Sequence, residues 1–172
     1  DKFFKAPSNF SAVAMKDGKI VYERYNKKLK ANPDFYAHGM SMTKTALGLR
    51  MGHLLCSGQI KSLDDIASKY SQSLNNSIYK DITIRNLLRM SSGINENRDN
   101  ERKLNHIMMN RQNNGSNDLV KVIQKIKTKF SKQGKMSRYH SLDITAASIL
   151  INEITQKSVA QVFFEDVFPN IK

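Results

Sequence analysis

A single cysteine, Cys56, stands among 172 residues. One thiol excludes an intramolecular disulfide and a cysteine-based zinc cluster, and it fits a reducing or an oxidising compartment equally. Prolines number three and glycines eight, too few for collagen-like or low-complexity sequence. With 40% hydrophobic and 25% charged residues, the chain has the apolar material for one core and lies outside the disordered class. The longest apolar run, about six residues from Ala146 to Ile151, is interrupted by Ser148, whereas a membrane-spanning helix needs roughly 20. No transmembrane segment is expected. Asp1 opens the sequence without a charged and then apolar leader pattern, so any leader is expected to lie outside it. Acidic residues are scarce too: 15 Asp and Glu face 28 Lys and Arg, a net charge of +13. Such charge invites an anionic partner. No zinc-finger spacing, aromatic-rich RNA-binding strand or heptad accompanies it, and the lysines are spread along the chain. No specific nucleic-acid partner is expected; a binder of anionic surfaces would rest on the charge alone and would lose affinity steeply with salt.

The apolar pattern divides the chain. Ser11 to Met15 and Lys19 to Glu23 read as two strands joined at Asp17-Gly18, which supplies the positive φ angles of a tight hairpin. A basic connector with Pro33 follows. From about Met40 the period changes: Leu47, Met51, Leu54 and Leu55 form the stripe of a buried helix that Gly58 caps. Gly48 and Gly52 inside it each cost about 0.5–1 kcal/mol relative to Ala, which predicts a neighbour packed close to the backbone. Leu63-Asp-Asp-Ile66 reads as a capped short helix or turn, and Thr83 caps a further helix that stops at Ser92-Gly93. Asn95 to Asp118 reads as a long loop with one helical turn at Leu104, Ile107 and Met108, of the kind that often serves as a lid. Leu119, Ile123, Ile126 and Phe130 predict a helix with a solvated face at Lys121, Lys125, Lys129 and Lys132, and a last helix spans Leu142 to Gln156.

Ser41-Met-Thr-Lys44 is a Ser-x-x-Lys pattern at a helix start. The spacing puts a hydroxyl and an amine on one face, and the helix N-terminus adds free N–H groups that favour an oxyanion. An unperturbed Lys, with a pKa about 10.4, is neutral roughly once in 2,500 at pH 7, so burial must lower it for Lys44 to act as a base. Ser77-Ile-Tyr-Lys80 repeats the pattern without opening an apolar-periodic helix. Chance accounts for the second copy.

Around Ser41 the order is more specific: Met40-Ser-Met-Thr-Lys-Thr, then Ile60-Lys-Ser-Leu-Asp-Asp65, then Ile82-Thr-Ile-Arg-Asn-Leu-Leu-Arg-Met-Ser-Ser-Gly-Ile94. This resembles the penicillin-recognising serine hydrolases, and within them the class C β-lactamase-related group of D-alanyl-D-alanine carboxypeptidases, esterases and 6-aminohexanoate-dimer hydrolases. The resemblance covers about residues 11 to 171 and ends at Val167-Phe-Pro-Asn-Ile171, where Asn170 replaces the family's Leu. Gly134-Lys-Met-Ser-Arg-Tyr139-His-Ser141 is similar to the family's second element, a tyrosine with a polar partner two residues on. The third element, a Lys- or His-containing triplet on a strand, is not in the sequence.

The resemblance implies an α+β fold of the β-lactamase/transpeptidase type, an antiparallel sheet lobe plus a helical lobe, with the C-terminal strands missing from this chain. The lobes are expected at residues 1–59, holding hairpin and nucleophile helix, and at 60–172. It implies a serine hydrolase that opens an ester or amide through an acyl-enzyme: Ser41 attacks, Lys44 takes its proton, Tyr139 relays it, the Ser41 N–H supplies half of the oxyanion hole, and Ser141 and His140 line the substrate cleft. No metal and no organic cofactor is implied, the partner is a small-molecule or peptide substrate, and a missing C-terminal half is needed to complete the fold. The family's usual setting is periplasmic or secreted, with cytoplasmic relatives. An inactive homologue binding cell-wall peptide or a protein partner is the alternative. His38, His53 and His106 show no metal-ligand spacing, the eight methionines, with Met40, Met42 and Met90 among them, read as core filler, and Asp64 and Asp65 read as capping and structural.

Overall fold

A computed structural model of the chain describes residues 2–6, 9–36, 39–95 and 116–170. Its contacts define two compact units, Asp1–Met40 and Ser41–Lys172. The helix that follows Ser41 thus belongs with the helical unit rather than with the hairpin, because its apolar stripe enters the helical core.

In the first unit β1 (Ser11–Lys16) and β2 (Lys19–Tyr25) pair antiparallel, from Ser11 opposite Tyr25 to Lys16 opposite Lys19. Asp17 (φ 51°) and Gly18 (φ 74°) both take the left-handed conformation of a two-residue hairpin loop, as their identities predict. The register shifts between Ala14 and Met15, and Val13, Met15, Ile20 and Val21 are exposed. Asn26, buried just past β2, donates its amide to the Phe4 and Asn9 carbonyls and accepts the Lys28 N–H, closing a short 3-10 turn, Lys27–Leu29.

The second unit is helical. A 3-10 turn, Met40–Met42, runs into α1 (Thr43–Cys56), whose Leu47, Met51 and Leu54 are buried as the stripe predicts. Gly58 (φ 73°) donates to the Leu55 carbonyl and ends the helix. Then come α2 (Gln72–Asn75), α3 (Ile84–Leu88), α4 (Ser116–Lys125), α5 (Leu142–Thr155) and α6 (Val159–Val162), followed by a wide π turn, Phe163–Val167, and a 3-10 turn, Phe168–Asn170. α5 is the centre: Leu142, Ala146, Ala147, Leu150 and Ile151 have no exposed surface, and α1, α2, α3, α4 and α6 all touch it. Ile60, Leu74, Ile82, Ile84, Leu87, Ile94, Ile123 and Ile126 complete the core.

Two of the stretches that carried the resemblance, Ile60–Asp65 and Ile82–Ile94, lie against each other. Ala67 donates to the Ile82 carbonyl at 2.8 Å, Ile84 to that of Asp65 at 3.0 Å and Arg85 to that of Leu63 at 2.7 Å. Arg85 also grips Asp64 through Nε and Nη2, at 2.6 and 2.9 Å. Asp65 accepts from the Tyr70 hydroxyl and from Lys69, so both aspartates do structural work.

Four expectations need correction. Beyond their chain neighbours and the backbone of α1 itself, no described atom lies within 4 Å of where a Cβ would sit on Gly48 or Gly52, so no close packing among the described residues explains them. The helix predicted through Phe130 ends at Lys125, because the backbone beyond it forms an isolated antiparallel bridge with Gly93–Asn95: Asn95 donates to the Thr128 carbonyl at 2.9 Å and Phe130 to that of Gly93 at 2.7 Å. Among the described methionines Met51 alone fills the core, fully buried, whereas Met90 is half-buried and Met15, Met40, Met42 and Met136 are exposed. Leu142 to Gln156 is not the last helix, since α6 follows. The loop expected over Asn95–Asp118, with Leu104, Ile107 and Met108, lies outside the described residues from 96 to 115.

Gly93 is held at φ 77°, and a Cβ there would come within 2.2 Å of the Ser131 carbonyl oxygen. Strain and overpacking together predict that Gly93→Ala costs about 2–4 kcal/mol and lowers Tm by roughly 5–15 °C. By contrast Gly48→Ala is expected to stabilise by about 0.5–1 kcal/mol, a Tm rise of roughly 1–4 °C by thermal unfolding; a fall would mean that something packs on that face.

Candidate active site

Ser41 occupies the 3-10 turn that opens α1, and Lys44 stands in the first turn of α1, so the spacing of three directs both side chains to one side. Lys44 Nζ donates to Ser41 Oγ at 3.1 Å. The Tyr139 hydroxyl reaches the same oxygen at 2.5 Å from a segment 98 residues further along, and Lys44 Nζ stands 5.2 Å from the centre of the tyrosine ring. Three groups that can exchange a proton therefore meet at one hydroxyl oxygen. Met40, directly before Ser41, has φ 45°, a conformation that costs a non-glycine residue on the order of 1–3 kcal/mol and that clusters at functional turns.

The hydrogen bond with Ser41 holds the Tyr139 phenol below its ordinary range, with the Lys44 hydrogen bond and, after it, the Lys44 charge acting in the same direction against desolvation. Lys44, which the base role required to be buried, is only half-buried. These contacts make the phenolate form of Tyr139 easier to reach.

Tyr139 is 68% exposed and owes its place to its backbone. The irregular segment Gly134–His140 is stapled to the turn that ends α3: Gly134 N–H donates to the Ser91 carbonyl at 2.8 Å, Arg138 N–H to that of Met90 at 2.9 Å, and Ser137 Oγ to that of Arg89 at 2.8 Å. Met90 (φ 50°) and Gly93 (φ 77°) give this turn its shape.

The other two predicted site residues follow Tyr139 at the entry to α5. His140 does not line an open cleft: its side chain is 3% exposed and its Nε2 lies 3.2 Å from Asp143 Oδ2. Ser141 is half-buried at the start of α5, where its carbonyl accepts the Thr145 N–H and hydroxyl. In the second Ser-x-x-Lys copy, Ser77 Oγ donates to the Leu74 carbonyl and accepts the Tyr79 N–H, a capping arrangement at the end of α2. His53 is half-buried in α1; His38 and His106 lie outside the described residues. Among the described residues no group of three or more His, Cys, Asp or Glu could hold a metal ion, and no helix is long and apolar enough to cross a membrane. A groove of about 660 Å³ in the first unit, lined by Phe4, Lys5, Tyr25, Asn26 and Pro33 among others, contains none of Ser41, Lys44 and Tyr139.

Two features here escaped the sequence. The strain at Met40 has no compositional signal, since methionine is not a residue that favours positive φ. Asp143 is fully buried, yet an acidic residue in the first turn of a helix reads as ordinary surface capping.

Among curated proteins, none matches the sequence. Solved structures do match in fold. A D-stereospecific amidohydrolase from Streptomyces sp. aligns at TM-score 0.60 and 21% identity, over 75% of this chain and 40% of its own. The octameric penicillin-binding protein homologue from Pyrococcus abyssi aligns at TM-score 0.70 and 20% identity, over 92% and 37%. A putative 6-aminohexanoate-dimer hydrolase from Bacillus anthracis aligns at TM-score 0.62 and 19% identity, over 90% and 42%. The chain thus spans about two fifths of the length of these solved chains, and at such identities the likeness is one of fold: α+β, of the β-lactamase/transpeptidase type, with a small antiparallel sheet and a helical unit. Membership rests on the sequence itself, which matches the family model called Beta-lactamase from residue 7 to residue 172, and the chain belongs to that family.

Proposed function

We propose that this chain works as part of a serine hydrolase that cleaves an ester or amide bond through an acyl-enzyme, as a carboxypeptidase, a β-lactamase-like enzyme or an esterase. One observation carries the reading: Lys44 Nζ and the Tyr139 hydroxyl converge on Ser41 Oγ at 3.1 and 2.5 Å. Family membership supports it.

The chemistry balances on these three side chains. Ser41 Oγ bonds to the substrate carbonyl carbon while its proton passes to the Tyr139 phenolate, a general base within hydrogen-bond reach. The hydrogen bonds from Ser41 and Lys44 that lower the pKa of the phenol support Tyr139 as a group that can hold or pass on this proton. The carbonyl oxygen becomes an oxyanion, for which the Ser41 backbone N–H is one donor. Collapse breaks the bond to the leaving amine or alkoxide, which takes the proton from Tyr139. Water then repeats the sequence on the acyl-Ser41 ester, restoring the free hydroxyl and releasing the acid.

Intact-mass measurement after exposure to a fluorophosphonate, and separately to a penicillin, tests the reading. The expected result is a single adduct that disappears in Ser41→Ala and forms about 10²- to 10⁴-fold more slowly in Tyr139→Phe, the usual worth of a positioned proton acceptor. Labelling by the penicillin as well would point to cell-wall peptide or β-lactam substrates. No adduct from either reagent would overturn the hydrolase reading in favour of an inactive homologue that binds cell-wall peptide or a protein partner. Ultraviolet titration provides an independent check on the site: one of the six tyrosines should ionise below the others, be lost in Tyr139→Phe, and move up in Ser41→Ala and in Lys44→Met.

A further inference from the structure

Asp143 stands in the first turn of α5 with no exposed surface. Its carboxylate joins three parts of the helical unit. Oδ1 accepts the Ser92 hydroxyl at 2.6 Å and the Tyr79 hydroxyl at 3.1 Å, and Oδ2 accepts the Ser92 N–H at 3.2 Å. Oδ2 also lies 3.2 Å from Nε2 of His140, the residue next to Tyr139. Ser92 Oγ in turn accepts the Ile94 N–H. Ser92 belongs to the turn on which Ser91, Met90 and Arg89 staple the tyrosine segment, so Asp143 grips that turn and faces the neighbour of Tyr139 at once.

A buried charge is a poor way to gain stability, since apolar residues of the same volume often serve as well or better. What it contributes is directionality: an ionised carboxylate accepts several hydrogen bonds at fixed angles. Tyr139, mostly exposed and on an irregular segment, needs such a reference, because a displacement of about 1 Å at a reacting group can cost on the order of 100-fold in rate.

We propose that Asp143, through Ser92 and His140, is a positioning residue that sets the Tyr139 hydroxyl against Ser41 Oγ. The role rests on the serine-hydrolase reading. Asp143 touches neither Ser41 nor a substrate, and acts only through the segment it holds.

The near-isosteric Asp143→Asn, with Ser92→Ala as a second variant that removes one donor and leaves the carboxylate, separates positioning from bulk stability. Three readouts are taken at temperatures where each variant is folded: the rate of fluorophosphonate labelling at Ser41, the probe concentration that half-saturates it, and the ultraviolet titration of Tyr139. Positioning predicts labelling slowed at least about tenfold with half-saturation unchanged, and a Tyr139 titration moved up toward the ordinary phenol range. Ser92→Ala should follow in the same direction by a smaller factor. A folded Asp143→Asn protein whose labelling rate and Tyr139 titration match the parent's overturns the proposal, as does an unaltered Ser92→Ala protein should Asp143→Asn fail to fold. If the parent itself takes no label, the hydrolase reading falls, and the Tyr139 titration, which needs no turnover, alone decides whether Asp143 holds the phenol in place.

Discussion

α5 is apolar on almost every side, and a helix of that kind has to be enclosed. Leu142, Ala146, Ala147, Leu150 and Ile151 take all of their surface out of solvent, and five other helices contribute the wrapping. Burial of a Leu or Ile is worth about 1.5–3 kcal/mol each, so this enclosure dominates the favourable side of folding for the unit. The arrangement also decides where chemistry can occur. α1 packs on α5 through Leu47, Met51 and Leu54, which leaves its first turn, with Ser41 and Lys44, at the rim. The segment that enters α5 carries Tyr139 to the same rim. The site is the place where the beginnings of two packed helices meet.

Polar groups set the register of that packing. An apolar helix could settle on its neighbours in several rotations, but Asp143 must keep its carboxylate against Ser92 and Tyr79, because leaving a charge unmatched in the interior is costly. Arg50 raises a related question on the buried face of α1. Its guanidinium is 2% exposed and 3.5 Å from Asp166 on the π turn, and burial pulls its pKa down against the pull of that carboxylate. Both charges lie where an amphipathic reading would place a hydrocarbon.

Much of the fold was legible because local chemistry and final structure agree. Asp17-Gly18 can hardly be anything but a tight turn, Thr83 caps α3 with its hydroxyl on the Asn86 N–H, and the i, i+4, i+7 stripe of α1 survives intact. The errors share a cause. Leu119 to Phe130 carries a helical period throughout, yet the last part leaves the helix because Gly93 and Asn95 offer it backbone partners from far away in sequence. Methionines were assigned by type, whereas Met40 and Met42 lie on an exposed turn whose placement depends on the helix that follows. In the site, Ser41 and Lys44 could be paired by spacing alone; joining Tyr139 to them required the family pattern, since no local rule brings together residues 98 positions apart. His140 was assigned by adjacency to Tyr139, yet Tyr139 is exposed whereas His140 is buried beside Asp143.

The Met40–Met42 turn places one thioether on each side of Ser41, at 78% and 73% exposure, while Met51, eight residues further on from Thr43 in the same helix, is shielded completely. Peroxide would therefore act on the rim long before it reached the core. Each sulfoxide would replace a flexible apolar group by a polar, chiral one next to the reactive hydroxyl, and methionine sulfoxide reductases can reverse the change. The outward side chains that make the turn open to a substrate also expose it to oxidants, so the chemical history of a sample is written first beside Ser41.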